Sequence, residues 1–484
     1  MKGLFLKIRD KLFLNSVRST FRDESALLRS EITKRIDDVS DKQSQALDLV
    51  SARQGEIQAG LAQLAEKVST LEKKLFISEV QRHYQDVRKE IAERIKDGEK
   101  LRFASYVVYD TTFGAHGICE LMLKEPEKYD VTFVVCPDTY RDMDGLKQYH
   151  KTKQFFVERY GADRVLDGYD ETTGEFLDHS DKFDVVYLAN PYDCLVNRVH
   201  GINYLCTQSV LPIHIEYAMY IIGKSWMYEP VFTYDSCLYY AYFVNTIATR
   251  AFFSGHQFFP VGNIFCSGYP KMDALAACKA DGGANKSRKK ILISPHQTVK
   301  GMPDCQDGIQ ISNFLQYSSF IPKLADLYPD VDFVFRPHPL LFTQLVRHKF
   351  WSQEDVDSYL KLLESKNIVY SSESDYFHLF KECDAIIHDC GSYIAEWLYT
   401  EKPCCYVIET KEKLYNQLTE DGKIAIQHYF LADSENKIME FIDSVLSSNR
   451  KITLSEKFRN EIMREYPNAS GYVLNCLRKW LVDN

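Results

Sequence analysis

The sequence predicts an α/β chain of two successive doubly wound, Rossmann-type domains facing a cleft, preceded by a long helical segment. From about Arg102, short β-rich runs alternate with helical stretches, which is the pattern of a parallel sheet covered by helices. That pattern stops in the polar, glycine-containing stretch Asp281–Lys290 and then restarts. Ahead of it, Ile36 to Leu75 holds no proline and repeats apolar residues at alternating spacings of three and four.

Composition narrows the function classes. A chain of 484 residues exceeds one ordinary core, and 45% hydrophobic with 26% charged residues excludes a disordered or collagenous protein. No apolar run approaches the roughly 20 residues of a spanning helix, and the start of the chain lacks the apolar stretch of a signal peptide. A net charge of −9 argues against a broad nucleic-acid surface. Thirteen cysteines without a CxxC pair point to reduced cytosolic thiols. Adjacent Cys404 and Cys405, in an apolar run, read as packing residues.

In chain order, residues 1–22 are basic, with Lys2, Lys7, Arg9, Lys11, Arg18 and Arg22 against Asp10 alone. On a helical wheel Leu4, Phe5, Ile8 and Leu12 share a face flanked by these cations, which suits a helix lying on a membrane surface. The alternative is an amphipathic helix docked on its own protein. Residues 23–98 form the helical oligomerisation region. Ile36, Val39, Ala46, Val50, Ile57, Leu61, Leu64, Val68, Leu71 and Leu75 make a heptad seam, weakened by Gln43 and Arg53 and carrying a stutter from Arg53 through Ile57 to Leu61. A coiled coil joining copies of the chain is expected, the alternative being a single helix packed on the body. Residues 99–280 form the first Rossmann-like domain, with strands at Phe103–Tyr109, Val131–Val135 and Val185–Leu188. Residues 281–290 are a linker. The second domain, 291–450, has strands at Ile291–Ser294, Val331–Phe335, Ala385–Ile387 and Cys404–Ile408. Helices follow in 451–484. Ligands are expected between the domains, at the carboxyl ends of the strands.

Three polar strand ends of the second domain carry the chemistry. His388–Ser392 reads as a turn from a buried strand into a helix starting at Tyr393. There Gly391 and Ser392 suit a phosphate, and Glu396, one turn on, suits ribose hydroxyls. A plain turn with Ser392 as helix cap is the alternative. Arg336-Pro-His338-Pro fixes an imidazole between two prolines. Ser294-Pro-His296-Gln-Thr298 ends the first strand in the same way. Amides, hydroxyls and imidazoles of this kind hold a pyrophosphate without a metal.

The runs Gly268-Tyr-Pro-Lys-Met-Asp273, Arg336-Pro-His-Pro339, Cys383-Asp-Ala-Ile-Ile-His-Asp-Cys-Gly-Ser392 and Lys402-Pro403 stand in the order found in the CDP-glycerol glycerophosphotransferase family. From Arg102 onward the chain resembles that family, which includes teichoic acid polymerases and related capsule enzymes of GT-B fold. The resemblance implies transfer of a polyol phosphate from a CDP-alcohol donor to a hydroxyl of a cell-surface glycan or lipid-linked acceptor, with no divalent cation or other cofactor. It implies His338 as the second-domain catalytic histidine; together with the strand-end reading, the donor-side candidates are Ser294, His296, Thr298, Arg336, Asp375, Asp389, Gly391, Ser392 and Glu396. Where the family usually reads aspartate-tyrosine-serine-serine, this chain reads Asp389-Cys390-Gly391-Ser392, so one hydroxyl is replaced by glycine. The first-domain histidine usually lies in a tryptophan-histidine-glycine-threonine run. Pro212-Ile-His214-Ile-Glu216 is the preferred match and Val199-His200-Gly201 its rival.

Asp110-Thr-Thr-Phe-Gly-Ala-His116-Gly follows the first strand and is not a dinucleotide fingerprint. Asp110, His116 and Asn190 are acceptor-side candidates, His116 otherwise being an exposed loop residue. The pairs Asp142/Asp144 and Asp167/Asp170 are discounted as metal ligands. The expected protein is thus a cytosolic transferase, peripheral on the inner face of the cell membrane, oligomeric through its coiled coil and not a nucleic-acid binder. Its rivals are a glycosyltransferase using a CMP- or UDP-sugar, and a catalytically inactive coiled-coil scaffold.

Overall fold

A computed structural model describes residues 2–140, 143, 145–223, 234–277, 288–302, 311–373, 376–447 and 451–481, with side chains from Asp10 onward except that of His256. Asp142, Asp144 and Asp375 lie outside the described residues, as does most of the expected linker. The chain forms two compact units, Met1–Phe76 and Ile77–Asn484.

The first unit belongs to one helix, Lys2–Lys96. The expected basic segment and heptad region are therefore continuous, with no break at residue 22. Absence of proline permits this, and the helix ends where Gly98 adopts a positive φ of 96°. The seam side chains Ile57, Leu61, Leu64, Val68, Leu71 and Leu75 are all exposed.

In the second unit the same helix buries Ile77, Val80, Tyr84, Val87 and Ile91, a spacing of three and four that keeps one face on the body. Two parallel sheets follow. The first contains β1 (Leu101–Val107), β2 (Tyr129–Val135), β3 (Val165–Asp167), β6 (Val185–Leu188), β7 (Leu211–Ile215), β8 (Ala241–Val244) and β9 (Ile264–Cys266). A small antiparallel pair, β4 (Tyr169–Asp170) and β5 (Glu175–Phe176), stands apart. The second sheet contains β10 (Lys289–Ser294), β11 (Val331–Phe335), β12 (Val369–Tyr370), β13 (Ala385–His388), β14 (Cys404–Val407) and β15 (Phe430–Ala432). β10 begins at Lys289, so the last two residues of the expected 281–290 linker already belong to the strand.

The orders are β3-β2-β1-β6-β7-β8-β9 and β12-β11-β10-β13-β14-β15. Each sheet starts in its middle, builds to one edge, then returns to build the other. The order reverses between β1 and β6, and between β10 and β13, which is where such sheets open a ligand crevice at their carboxyl ends. Strands covered on both faces read as apolar runs, and all four residues of β6, β13 and β14 are buried. Cys404 and Cys405 pack on opposite faces of the second sheet.

One core cluster joins the two domains. Met219, Ile221, Ile222, Tyr269 and Met272 pack with Leu292, Ile386, Trp397 and Leu418. The segment 221–223 also bonds to 417–419: Gly223 N donates to the Gln417 carbonyl at 2.9 Å and Thr419 N to that of Ile221 at 3.0 Å. The final helix, Ala469–Leu481, returns to pack on the first-domain helix His116–Leu123. Asp273 caps it by accepting from Ala469 N at 3.2 Å and Ser470 N at 2.7 Å.

Candidate active site

The carboxyl ends of β10 and β11 are a matched pair. The register sets Ile293 opposite Phe335, so continuing it places Pro295-His296 beside Pro337-His338. The ladder does continue: His338 N donates to the Pro295 carbonyl at 2.9 Å. The two imidazoles lie 5.0 Å apart between ring centres, inclined at 64°. Each accepts an amide from two residues ahead, Leu340 N to His338 Nδ1 at 3.2 Å and Thr298 N to His296 Nδ1 at 3.3 Å. Thr298 Oγ1 is also 2.9 Å from His296 Nδ1. With Nδ1 occupied as acceptor, the neutral ring carries its proton on Nε2. Burial pushes His338 down to about 4, helped by the Arg336 charge. Burial and then His338 push His296 to about 3. The result is two neutral Nε2–H donors side by side at the crevice.

Asp389, just past β13, staples this rim. Its buried carboxylate accepts from His296 N and Asn313 N, both at 2.6 Å. Burial raises its pKa to about 7 against the pull of those amides. Ser294 Oγ donates to the Arg336 carbonyl at 2.6 Å, tying the ends of β10 and β11 together. Arg336 is buried. It donates to Tyr393 Oη and to the Glu373 carbonyl, each at 2.8 Å, and lies over the Tyr376 ring at 4.8 Å. These contacts make Ser294, Asp389 and Arg336 supports that hold the two histidines.

The helix expected from Tyr393 is a single turn, Tyr393–Glu396, passing into a 3-10 turn, Trp397–Thr400. Its dipole is correspondingly small. Ser392 stands at its N-cap position and its side chain makes no cap bond. Gly391 is not demanded by the backbone, since a Cβ there would meet only Ile222 at 3.8 Å and Ile311 at 3.9 Å. Glu396 is buried, and its oxygens accept from Tyr269 Oη at 3.1 Å and Tyr376 Oη at 2.5 Å. Tyr269 also donates to the Tyr217 carbonyl at 2.6 Å. Glu396 is therefore a junction between the domains.

On the first-domain side, Asp110 follows β1 and Asn190 follows β6, flanking the point of reversal. The Asp110 carboxylate accepts from Gln148 Nε2 at 3.1 Å and lies 3.6 Å from Lys151 Nζ. Asn190 Oδ1 accepts from Tyr192 N at 3.2 Å. His116 begins a helix instead of standing in an exposed loop; its Nδ1 lies 2.7 Å from Tyr160 Oη. His214 is wholly buried within β7, against Tyr239 and Tyr242. Its Nδ1 lies 2.7 Å from the Leu188 carbonyl, which fixes the proton there and leaves the lone pair on Nε2. Burial lowers its pKa to about 4. His200 is also buried, with Nε2 3.0 Å from the Leu177 carbonyl. Asp167 pairs with Lys153 at 2.7 Å, and Asp170 accepts from Thr172 N at 2.8 Å. Among the described residues no group of three or more His, Cys, Asp or Glu is arranged to hold a metal ion.

Two Rossmann-type domains across a crevice, with the last helix returning to the first domain, make this a GT-B fold. No protein-family model matches the chain, and no curated protein matches its sequence. Solved structures do match in fold. The wall teichoic acid polymerase TagF, as a histidine-to-alanine variant, aligns at TM-score 0.53 and 12% identity, covering 86% of this chain and 99% of that one. A second TagF variant aligns at 0.51 and 13%, covering 86% and 98%. The UDP-GlcNAc 2-epimerase of Neisseria meningitidis, bound to UDP-GlcNAc, aligns at 0.50 and 15%, covering 79% and 100%.

Proposed function

We propose that this chain transfers a polyol phosphate from a CDP-alcohol to a hydroxyl of a glycan or lipid-linked acceptor. The observation that carries the reading is the in-register pair His296 and His338, two neutral Nε2–H donors at the second-domain crevice. A pyrophosphate presents acceptor oxygens that suit two such donors. The acceptor oxygen attacks the β-phosphorus and forms the new P–O bond as the bond to CMP breaks. The CMP oxygen leaves with its charge met by the histidines and by Ser392. His214 is the base in this reading. Its Nε2 lone pair, buried without a hydrogen-bond partner among the described residues, takes the hydroxyl proton. Likeness in fold to TagF supports the reading.

The second reading is a glycosyltransferase in which a CMP- or UDP-sugar is attacked at its anomeric carbon. The structural neighbour bound to UDP-GlcNAc favours it. CMP release from CDP-glycerol, set against a panel of nucleotide sugars, separates the two. The exposed apolar seam of the long helix supports self-association as a coiled coil. The basic residues 1–22 support attachment to an anionic membrane surface, on the cytoplasmic side where nucleotide donors are made.

A further inference from the structure

The seam of the long helix carries a charge pattern beside its apolar residues. Counting Leu61, Val68 and Leu75 as heptad position a makes Leu64 and Leu71 position d, and these five are between 47% and 65% exposed. The same count puts Lys67 and Lys74 at g and Glu72 and Glu79 at e, the positions that flank the apolar strip. All four charged residues are exposed. Lys67, Glu72 and Lys74 have no opposite charge three or four residues away, the spacings at which side chains meet on one helix. Their complement therefore has to come from another helix. The face that docks on the body does not compete with this seam. Ile77, Val80, Tyr84, Val87 and Ile91 fall at c and f of the same count, on the side of the helix away from a and d.

The two ways of pairing this seam with a second copy differ in sign. In a parallel, in-register pair, g of one chain meets e of the other five residues further on. Lys67 then meets Glu72 and Lys74 meets Glu79, and the two-fold symmetry makes each pair twice. In an antiparallel pair g meets g and e meets e, so lysine faces lysine and glutamate faces glutamate. Arg53, the basic residue in the weaker half of the seam, lies 3.6 Å from Glu56 of its own chain, so its charge is met when two copies lie side by side. We infer that the seam is occupied by a second copy of this chain, parallel and in register, selected by the Lys67–Glu72 and Lys74–Glu79 pairs. A parallel pair brings both basic starts of the chain to one end of the coil, where two weak surface segments act together on one anionic surface. The inference rests on the self-association reading of the seam and adds its direction and the charges that set it.

The test uses the full-length protein. Sedimentation equilibrium reads self-association, and mild oxidation of Leu64→Cys and of Leu71→Cys reads direction, with the wild type as control for the native thiols. The wild type should self-associate, and each cysteine variant should cross-link with itself to twice the chain mass. An antiparallel pair sets at most one of these two positions against itself, so cross-linking of both requires parallel helices. Lys67→Glu with Lys74→Glu should weaken self-association about tenfold or more, since each attraction becomes a repulsion. Adding Glu72→Lys and Glu79→Lys should restore it to within about threefold of the wild type. Rescue by further substitution excludes simple loss of the helix, which circular dichroism reads directly. The inference falls, with self-association kept, if only one or neither cysteine variant cross-links, or if the lysine reversals change nothing. A wild type that remains monomeric overturns the self-association reading and the inference together.

Discussion

His296 and His338 differ from ordinary surface histidines because burial, aided at His338 by the Arg336 charge, holds both rings neutral across the physiological range. A group at about 4 donates a hydrogen bond at pH 7 and does not deliver a proton. His338→Ala should therefore lower turnover by about 100-fold, the scale of one lost oxyanion contact. Wild-type kcat/KM should show no ionisation from this residue between pH 5.5 and 8. A limb near pH 6.5 that disappears in His338→Ala would contradict the neutral-donor role. Two glycines give a paired test of the backbone. At Gly268, φ is +71° and a Cβ would fall 2.0 Å from the Arg464 carbonyl oxygen, whereas Gly391 has open contacts. Gly268→Ala should destabilise by about 3 kcal/mol or more, and Gly391→Ala by no more than about 0.5 kcal/mol. Thermal unfolding of the two variants side by side checks the contrast.

At the level of elements, the strands were readable because buried parallel strands are continuous β-branched and aromatic runs. Val185–Leu188 and Val331–Phe335 are found with the limits read from the sequence and the other five strands read there within two residues, whereas β3, β4, β5, β7, β8, β9, β12 and β15 were not read. The same property hid the place of His214. In a strand covered on both faces, side-chain alternation does not distinguish the crevice from the core. The helix read from Tyr393 onward does start there, but its apolar residues pass after one α-turn into a 3-10 turn that stops at Thr400. The long helix shows a further limit of local pattern. Its basic start and heptad seam read as two segments, and proline-free sequence joins them. For this element, deleting residues 1–76 should leave a folded body and abolish self-association in light scattering. Deleting residues 1–22 should release the protein from anionic vesicles, with wild-type binding weakening as salt rises. An oligomer that survives the longer deletion would show that the seam is not its interface.

The whole molecule is organised by contacts that no local pattern reveals. Tyr269 lies in a run singled out for its chemistry and Tyr376 follows the donor-side candidate Asp375, yet their meeting on Glu396 depends on two domains coming together. Arg159 and Lys271 are 112 positions apart in the sequence and line one cavity. What was legible of the site was the set of strand ends, because a polar residue after a buried run is visible in one dimension. Which of those residues touch a ligand and which brace their neighbours follows only from the hydrogen bonds, and these turn Ser294, Arg336 and Glu396 inward. The central claim is that the paired histidines serve a pyrophosphate whose alcohol half is transferred with its phosphate. Incubating the wild type and His338→Ala with CDP-glycerol, CMP-sugars and UDP-sugars in the presence of a hydroxyl acceptor tests it most directly. The account predicts CMP release from CDP-glycerol, glycerol phosphate appearing on the acceptor, and a loss of about 100-fold in His338→Ala. Release of nucleotide from a sugar donor alone, with the sugar and no phosphate found on the acceptor, would contradict it.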